Sequence, residues 1–360
     1  MTTKERLYIY DTTLRDGQQT QGVTFSLDDK LRISQLLENI GVDYIEGGWP
    51  GANPVDSEFF DTKKEFAKTK LVAFGMTKRF GRSVENDETL AQVVSAGTRV
   101  VCLVGKSHDF HVKKALGISL DENVELISSS IKYLKSLGKE VHFDAEHFFD
   151  GFAANKKYAI SIVKEAMASG ADWVVLCDTN GGCMPDQVRE TIESLGEEGI
   201  DVKKLGIHAH NDTENAVANS LAAVQAGARQ IQGTLNGLGE RCGNANLISL
   251  LPTLLLKPQF SEKFVTGVTS DSLKELTRVS RIMDDVLNRV PNRFAPYVGS
   301  SAFAHKAGLH ANAILKNTET YEHIDPELVG NERIIPVSNQ AGLSNLKEKL
   351  RQAGINADDD

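Results

Sequence analysis

Residues 206–212 read Gly-Ile-His-Ala-His-Asn-Asp, the end of a β-rich run. Side chains alternate between the faces of a strand, so His208 and His210 point the same way. Two imidazoles on one face beside Asn211 and Asp212 are either half of a divalent-metal site or two histidines packed into a polar strand end. Company elsewhere in the chain decides between these. Near the N-terminus, Asp11-Thr12-Thr13-Leu14-Arg15-Asp16-Gly17-Gln18-Gln19 sets a carboxylate and a guanidinium just past another strand. Asp144-Ala145-Glu146-His147 does the same with a carboxylate and an imidazole, either of which could serve as a base. The loop at 237–244, Gly-Leu-Gly-Glu-Arg-Cys-Gly-Asn, is rich in glycine, but its Gly-x-Gly-x-x-x-Gly spacing is not the dinucleotide fingerprint.

The elements that must position these residues recur in a simple rhythm. Short β-rich runs at 7–11, 44–47, 71–74, 99–104, 140–143, 173–177, 205–208 and 230–233 each precede an amphipathic stretch. The expected helices lie at 28–40, 55–67, 86–95, 121–137, 155–169, 186–195, 213–226 and 245–254. Strands separated by helices pair in parallel through right-handed crossovers. Eight rounds in this length predict a closed (β/α)₈ TIM barrel, an α/β fold. A Rossmann-like sheet is the alternative, and no Gly-x-Gly-x-x-Gly opens the first helix to favour it. In a barrel the reactive side chains sit at the C-terminal ends of the strands, and only the eighth strand separates the first from the seventh. Asp16 can therefore meet His208 and His210, a set that leaves positions open on Mn²⁺, Mg²⁺ or Zn²⁺ for a chelating substrate.

Past residue 256 the rhythm stops. A helix is expected at 271–288, before Pro291 and Pro296, a second at 302–315, and an irregular stretch to 360 closed by a helix near 344–352. The division expected is a catalytic barrel over 1–258 and a mainly helical appendage over 259–360. Hydrophobic residues at 41% and charged residues at 25% are ordinary globular values. No apolar run approaches the roughly 18 residues of a membrane span, and no apolar signal region opens the chain, so the expectation is a cytoplasmic protein. A net charge of −9 argues against a general nucleic-acid partner, which needs a concentrated basic surface. The four cysteines form no Cys-x-x-Cys pair and are expected to be reduced.

The motifs Asp-Thr-Thr-Leu-Arg-Asp-Gly-Gln, His-Ala-His-Asn and Gly-Leu-Gly-Glu-Arg-Cys-Gly-Asn, in this order, resemble those of the metal-dependent acyl-CoA Claisen condensation and lyase barrels. That family includes 2-isopropylmalate, homocitrate and citramalate synthases and hydroxymethylglutaryl-CoA lyase. Within it, residues 47–54 (Gly-Gly-Trp-Pro-Gly-Ala-Asn-Pro) and 177–182 (Cys-Asp-Thr-Asn-Gly-Gly) look most like the (R)-citramalate-forming subgroup. The resemblance implies an acyltransferase that condenses acetyl-CoA with pyruvate and water to citramalate, a step toward 2-oxobutanoate and isoleucine. The alternative is 2-isopropylmalate or homocitrate formation from 2-oxoisovalerate or 2-oxoglutarate. It implies metal ligands Asp16, His208 and His210 with Asn244 adjacent, and Arg15 and Thr179 on the 2-oxo acid near Asn180. Glu146 is implied as the base toward acetyl-CoA, and Gly239 and Glu240 as shaping the acetyl-CoA pocket; Lys78, Arg79 and Arg82 could meet its phosphates or form a solvated basic loop.

The resemblance also implies a homodimer with shared active sites, in which His310, with Tyr321 beside it, enters the neighbouring subunit's site. Asn312 stands where some relatives have Asp, so no carboxylate role is carried over there. His305 is expected to be a helix-surface or interface residue. The resemblance also implies a further domain that binds an end-product amino acid; the expectation for this chain, as a shortened piece or a natural short form, is that it lacks that domain and feedback inhibition.

Overall fold

Parallel pairing between successive β-rich runs closes on itself. In the computed structural model, which describes residues 3–336 with Leu350, Gly354 and Ile355, the strands form one barrel in sequence order. They are β1 (Tyr8–Asp11), β2 (Tyr44–Gly48), β3 (Lys70–Met76), β4 (Val100–Lys106), β5 (Glu140–Glu146), β6 (Trp173–Asp178), β7 (Leu205–Ala209) and β8 (Gln230–Gly233). Every pair is parallel, and β8 returns to β1 through Tyr8–Gln230 and Asp11–Gly233. The helices between them are α1 (Leu27–Ile40), α2 (Pro54–Asp61), α3 (Glu88–Ser95), α4 (Leu120–Ser136), α5 (Phe148–Ala154), α6 (Lys156–Ala168), α7 (Pro185–Glu197), α8 (Ala216–Ala226) and α9 (Leu247–Leu256).

Local chemistry sets several of these boundaries. Ser26 and Asp29 cap the start of α1 reciprocally, and Gly41 ends it in the left-handed conformation. Ser119 and Glu122 do the same at α4. The helix expected at 55–67 stops at Asp61: Lys63 turns left-handed at φ +48°, and farther on the Glu38 carboxylate takes the N–H groups of Ala67, Lys68 and Thr69 at 3.0–3.1 Å. The helix expected at 155–169 is α6, capped by the Asn155 side chain, and the short α5 before it, which Asn155 ends, was not expected. Inside the barrel, Tyr10, Tyr44, Val72, Phe74, Val100 and Cys102 form a buried cluster, so the lumen is packed and not a channel.

The chain divides into two compact units: residues 1–250 with 262–267, and 251–261 with 268–360. In the second unit, α10 (Leu276–Val286) follows a separate turn at Ser270–Leu273, where one helix over 271–288 was expected. The helix expected at 302–315 begins only at Gly308, as α11 (Gly308–Lys316). The reason lies in the backbone before it: His305 N–H donates to Ile334 O (2.9 Å) and Ile334 N–H to Phe303 O (3.0 Å), which commits residues 303–305 to strand-like pairing. The expected helix at 344–352 falls outside the described residues, apart from Leu350. Among the described residues no helix is long and apolar enough to cross a membrane.

Candidate active site

The turn after β1 is built to present Asp16 and Arg15. Asp11 accepts from Thr13 N–H (2.8 Å) and from the Thr13 hydroxyl (2.7 Å), and Thr13 Oγ1 accepts from Leu235 N–H (2.9 Å). The turn is thereby fastened to the end of β8. His208 lies within β7, and His210 just beyond it, where its backbone bridges to Asn244 in the glycine-rich loop. The three side chains converge: His208 Nε2 is 3.2 Å and His210 Nε2 3.9 Å from Asp16 Oδ2, and the two Nε2 atoms are 3.3 Å apart.

A chain of hydrogen bonds behind His208 fixes its tautomer. Gln232 Nε2 donates to Asp144 Oδ1 (3.1 Å), so Gln232 Oε1 faces His208 Nδ1 at 2.9 Å. His208 therefore carries a proton on Nδ1, and Nε2 is the atom that faces the cluster; against burial, Asp16 raises the pKa of this imidazole, and the proton the two share at Nε2 is the one a metal ion would displace. Asp16 Oδ1 and Asn244 Oδ1 are buried with no hydrogen-bond partner. Buried oxygens left in that state carry a desolvation cost of about 1–3 kcal/mol each unless something positive meets them. Two imidazole nitrogens and oxygen donors of this kind fit a divalent cation of the Mn²⁺, Mg²⁺ or Zn²⁺ class.

Electrostatics agree with that fit. Burial alone would raise the Asp16 carboxyl, but Arg15 and His208 outweigh it and hold it well below the usual range, so it stays charged. Burial and the neighbouring His208 push His210 down to about 4, which keeps it neutral and able to donate its lone pair.

Around the cluster lies a cavity of about 240 Å³ lined by Arg15, Asp16, Trp49, Glu146, Thr179 and Glu240 among others. Arg15 is held on three sides: Nε donates to buried Glu46 (2.5 Å), the guanidinium lies 4.0 Å over the Phe74 ring, and Nη1 is 3.4 Å from Asp16. Tyr10 donates to the other Glu46 oxygen at 2.6 Å. Glu146, at the end of β5, pairs with Lys106 at the end of β4. Thr179 Oγ1 accepts from His147 N–H (2.8 Å), which leaves its hydroxyl proton to donate. A second, mostly apolar cavity of about 360 Å³ shares Trp49, Val104 and Glu146 with the first and reaches Lys78, Arg79 and Phe80.

Arg15, Asp16, Glu146, Thr179, His208, His210 and Glu240 are thus brought together. Asn244 stands beside His210, and Gly239 leaves room for it, since a Cβ there would run into Asn244 Nδ2. Asn180 does not join the cavity lining: it is exposed and donates to Asp150 at 2.6 Å. His310 and Tyr321 belong to the second unit, where their rings stack with centroids 4.0 Å apart. His305 in that unit pairs with Glu322 (3.1 Å), which Arg333 also holds.

Sequence reasoning passed over Glu46, Lys106, Asp144 and Gln232. Glu46 is the one charged side chain in β2, and that is the signal that could have found it; β5 also carries Glu140, His142 and Glu146, and β8 also carries Gln230, so nothing marks Asp144 or Gln232 out. Asp144, buried beside Glu46, is pushed up to about 6 by burial and by that second carboxylate.

Comparison with known proteins gives the same picture at family level. An (R)-citramalate synthase of Aquifex aeolicus (strain VF5) is 52% identical over 98% of this chain and 66% of its own length. A 2-isopropylmalate synthase of Methylacidiphilum infernorum (isolate V4) is 33% identical over 98% of this chain and 69% of its own. The chain therefore spans just under two thirds of the length of the first of these relatives. The crystal structure of the Bacillus subtilis HMG-CoA lyase superposes with a TM-score of 0.67 at 19% identity, covering 81% of this chain and 98% of that one, a likeness of fold. Residues 297–360 match the model of the homocitrate synthase post-HMGL domain-like family. The HMGL-like family model matches residues 6–282, and the chain belongs to the HMGL-like family.

Proposed function

We propose that the chain condenses acetyl-CoA with pyruvate and water to give (R)-citramalate and CoA. The observation that carries this reading is the convergence of Asp16, His208 and His210 at the barrel mouth, flanked by Arg15 on one side and Glu146 on the other. The greater identity to a citramalate synthase than to a 2-isopropylmalate synthase supports pyruvate as the acceptor.

Asp16, His208 and His210 would hold a divalent ion, with Asn244 close enough to contribute directly or through water. Such an ion supplies positive charge that chelates the 2-oxo acid and polarises its ketone. The remaining work belongs to side chains. Arg15, kept rigid by Glu46 and Phe74, donates to the ketone oxygen as negative charge gathers there. Thr179 gives its hydroxyl proton to the acceptor carboxylate. The second cavity, apolar with a basic rim at Lys78 and Arg79, suits the pantetheine arm of an acyl-CoA and brings its acetyl end to Glu146. Glu146 removes a methyl proton, the carbanion equivalent attacks the ketone carbon, and water then cleaves the thioester to release CoA. Lys106 pairs with the Glu146 carboxylate and orients it. His310, with Tyr321 stacked on it, is the candidate for a residue delivered by a neighbouring copy in a homodimer.

Chiral chromatography of the product from acetyl-CoA and pyruvate tests the reading. It predicts (R)-citramalate as the product; isopropylmalate formed preferentially when 2-oxoisovalerate is supplied would move the acceptor assignment and keep the chemistry.

A further inference from the structure

The first unit contains a lysine with no exposure at all. Lys30 lies in the first turn of α1 with its whole side chain buried, and its carboxylate partner Asp56 in α2 is 1% exposed. Buried ion pairs are poor stabilisers, because the desolvation of two charges offsets much of their attraction. A pair kept at that cost invites a reason other than stability. Its remaining hydrogen bonds supply one.

The Lys30 ammonium has three protons and three acceptors. Besides Asp56, Nζ donates to Leu14 O (2.8 Å) and to Gly47 O (2.9 Å). Leu14 immediately precedes Arg15 and Asp16, and Gly47 opens the turn that carries Trp49. Asp56 completes the fastening from the other side: it accepts from Trp49 N–H (2.9 Å) and, through both of its oxygens, from Gln18 Nε2 (3.2 Å to each). Gly48 has φ +145°, and a Cβ on it would strike the Asp56 carboxylate, so the turn is shaped to lie directly against that group. Two segments from different strands, residues 14–19 after β1 and 47–49 at the end of β2, are thus tied to one buried charge pair. Between them they contribute Arg15, Asp16, Gln19 and Trp49 to the cavity lining.

We propose that Lys30 and Asp56 are positioning residues of the active site, holding the Asp16 turn and the Trp49 turn in register so that the carboxylate meets His208 and His210. Neither touches substrate or metal. This rests on the metal-site reading given above for Asp16.

The test separates positioning from mere stability. Lys30→Met alone leaves Asp56 buried without its partner and destabilises the fold, as removal of one member of a buried pair does. The double variant Lys30→Met/Asp56→Leu replaces the pair by apolar groups and is expected to recover a thermal midpoint near the native one. Gln18→Ala removes one fastening with no charge left unpaired, and is expected to fold as the native protein does. Mn²⁺ affinity is read by electron paramagnetic resonance. The chain has two tryptophans, so Trp49 emission is read in a Trp173→Phe background.

The expected result is Mn²⁺ binding about ten-fold or more weaker in the double variant and about two- to five-fold weaker in Gln18→Ala, with Trp49 emission displaced in the double variant. If the double variant does not fold, Gln18→Ala decides alone. Native Mn²⁺ affinity in Gln18→Ala, or native affinity and native Trp49 emission in a folded double variant, overturns the proposal. Failure of the unaltered protein to bind Mn²⁺ overturns the metal reading instead, and Trp49 emission then still tests whether the pair holds the turn.

Discussion

At the scale of single residues, the proposed function separates the groups that bind from the one that moves a proton. Glu146 lines the same cavity as Asp16, His208 and His210 and is paired with Lys106, so on that proposal its replacement by Gln removes the base and leaves the acceptor's own contacts in place. Steady-state kinetics of Glu146→Gln should show kcat lower by roughly 10²–10⁴-fold, the usual worth of a positioned base, with little change in the KM for pyruvate. A KM rise with unchanged kcat would remove Glu146 from that role. Arg15→Lys keeps the charge but loses the planar fork that bonds Glu46 and lies over Phe74. The expected fall in kcat is on the order of 10²-fold, as for loss of one oxyanion donor. Asp16 and the two histidines were legible in the sequence because their types and strand positions suffice to place them. Lys106 and Gln232 were not, since a lysine or glutamine at a strand end has no distinguishing spacing, and only the barrel's curvature sets one against Glu146 and the other behind His208.

At the scale of elements, the C-terminal ends of β1, β2 and β5–β8 and the turns after them carry the site, and their backbone bonds decide its shape. Asp11, fully buried at the end of β1, is pushed up to about 7 chiefly by burial, although Thr13 donates to it twice. A carboxyl with a raised folded pKa holds a proton that the unfolded chain has lost, so its contribution to stability is complete below about pH 4 and is lost as pH rises toward 7. Asp11→Asn does not titrate. The thermal midpoint of the variant relative to the unaltered protein should therefore climb by a few degrees between pH 5 and pH 8, and a constant difference across that range would contradict the assignment. In the β8 loop, Gly239→Ala pushes the Asn244 side chain aside, and should weaken metal binding while far-ultraviolet circular dichroism stays native. The strands were legible because parallel barrel strands are short runs of buried β-formers. Helix limits were less so: past the left-handed Lys63 the backbone at 67–69 is held by the distant Glu38 carboxylate, and the late start at Gly308 depends on pairing with Ile334, contacts that no local pattern announces.

At the scale of the whole molecule, the barrel architecture follows from the β/α rhythm, and the family from three motifs that the barrel brings to one rim. Asn180 illustrates the limit of such carry-over, because it lies next to Thr179 in sequence and yet faces Asp150 at the surface. A ligand that binds only the folded protein stabilises it by about 2.7 kcal/mol at one hundred times its Kd. Saturating Mn²⁺ should therefore raise the thermal midpoint of EDTA-treated protein by several degrees, and His208→Ala should abolish that rise. The most direct measurement of the central claim is CoA release from acetyl-CoA with pyruvate, 2-oxoisovalerate and 2-oxoglutarate in parallel, with Mn²⁺ and then with EDTA. The expected result is release with pyruvate well above the other two acceptors, present with Mn²⁺ and absent with EDTA. Release that survives EDTA, or none with any acceptor from a folded, Mn²⁺-binding protein, would contradict the account.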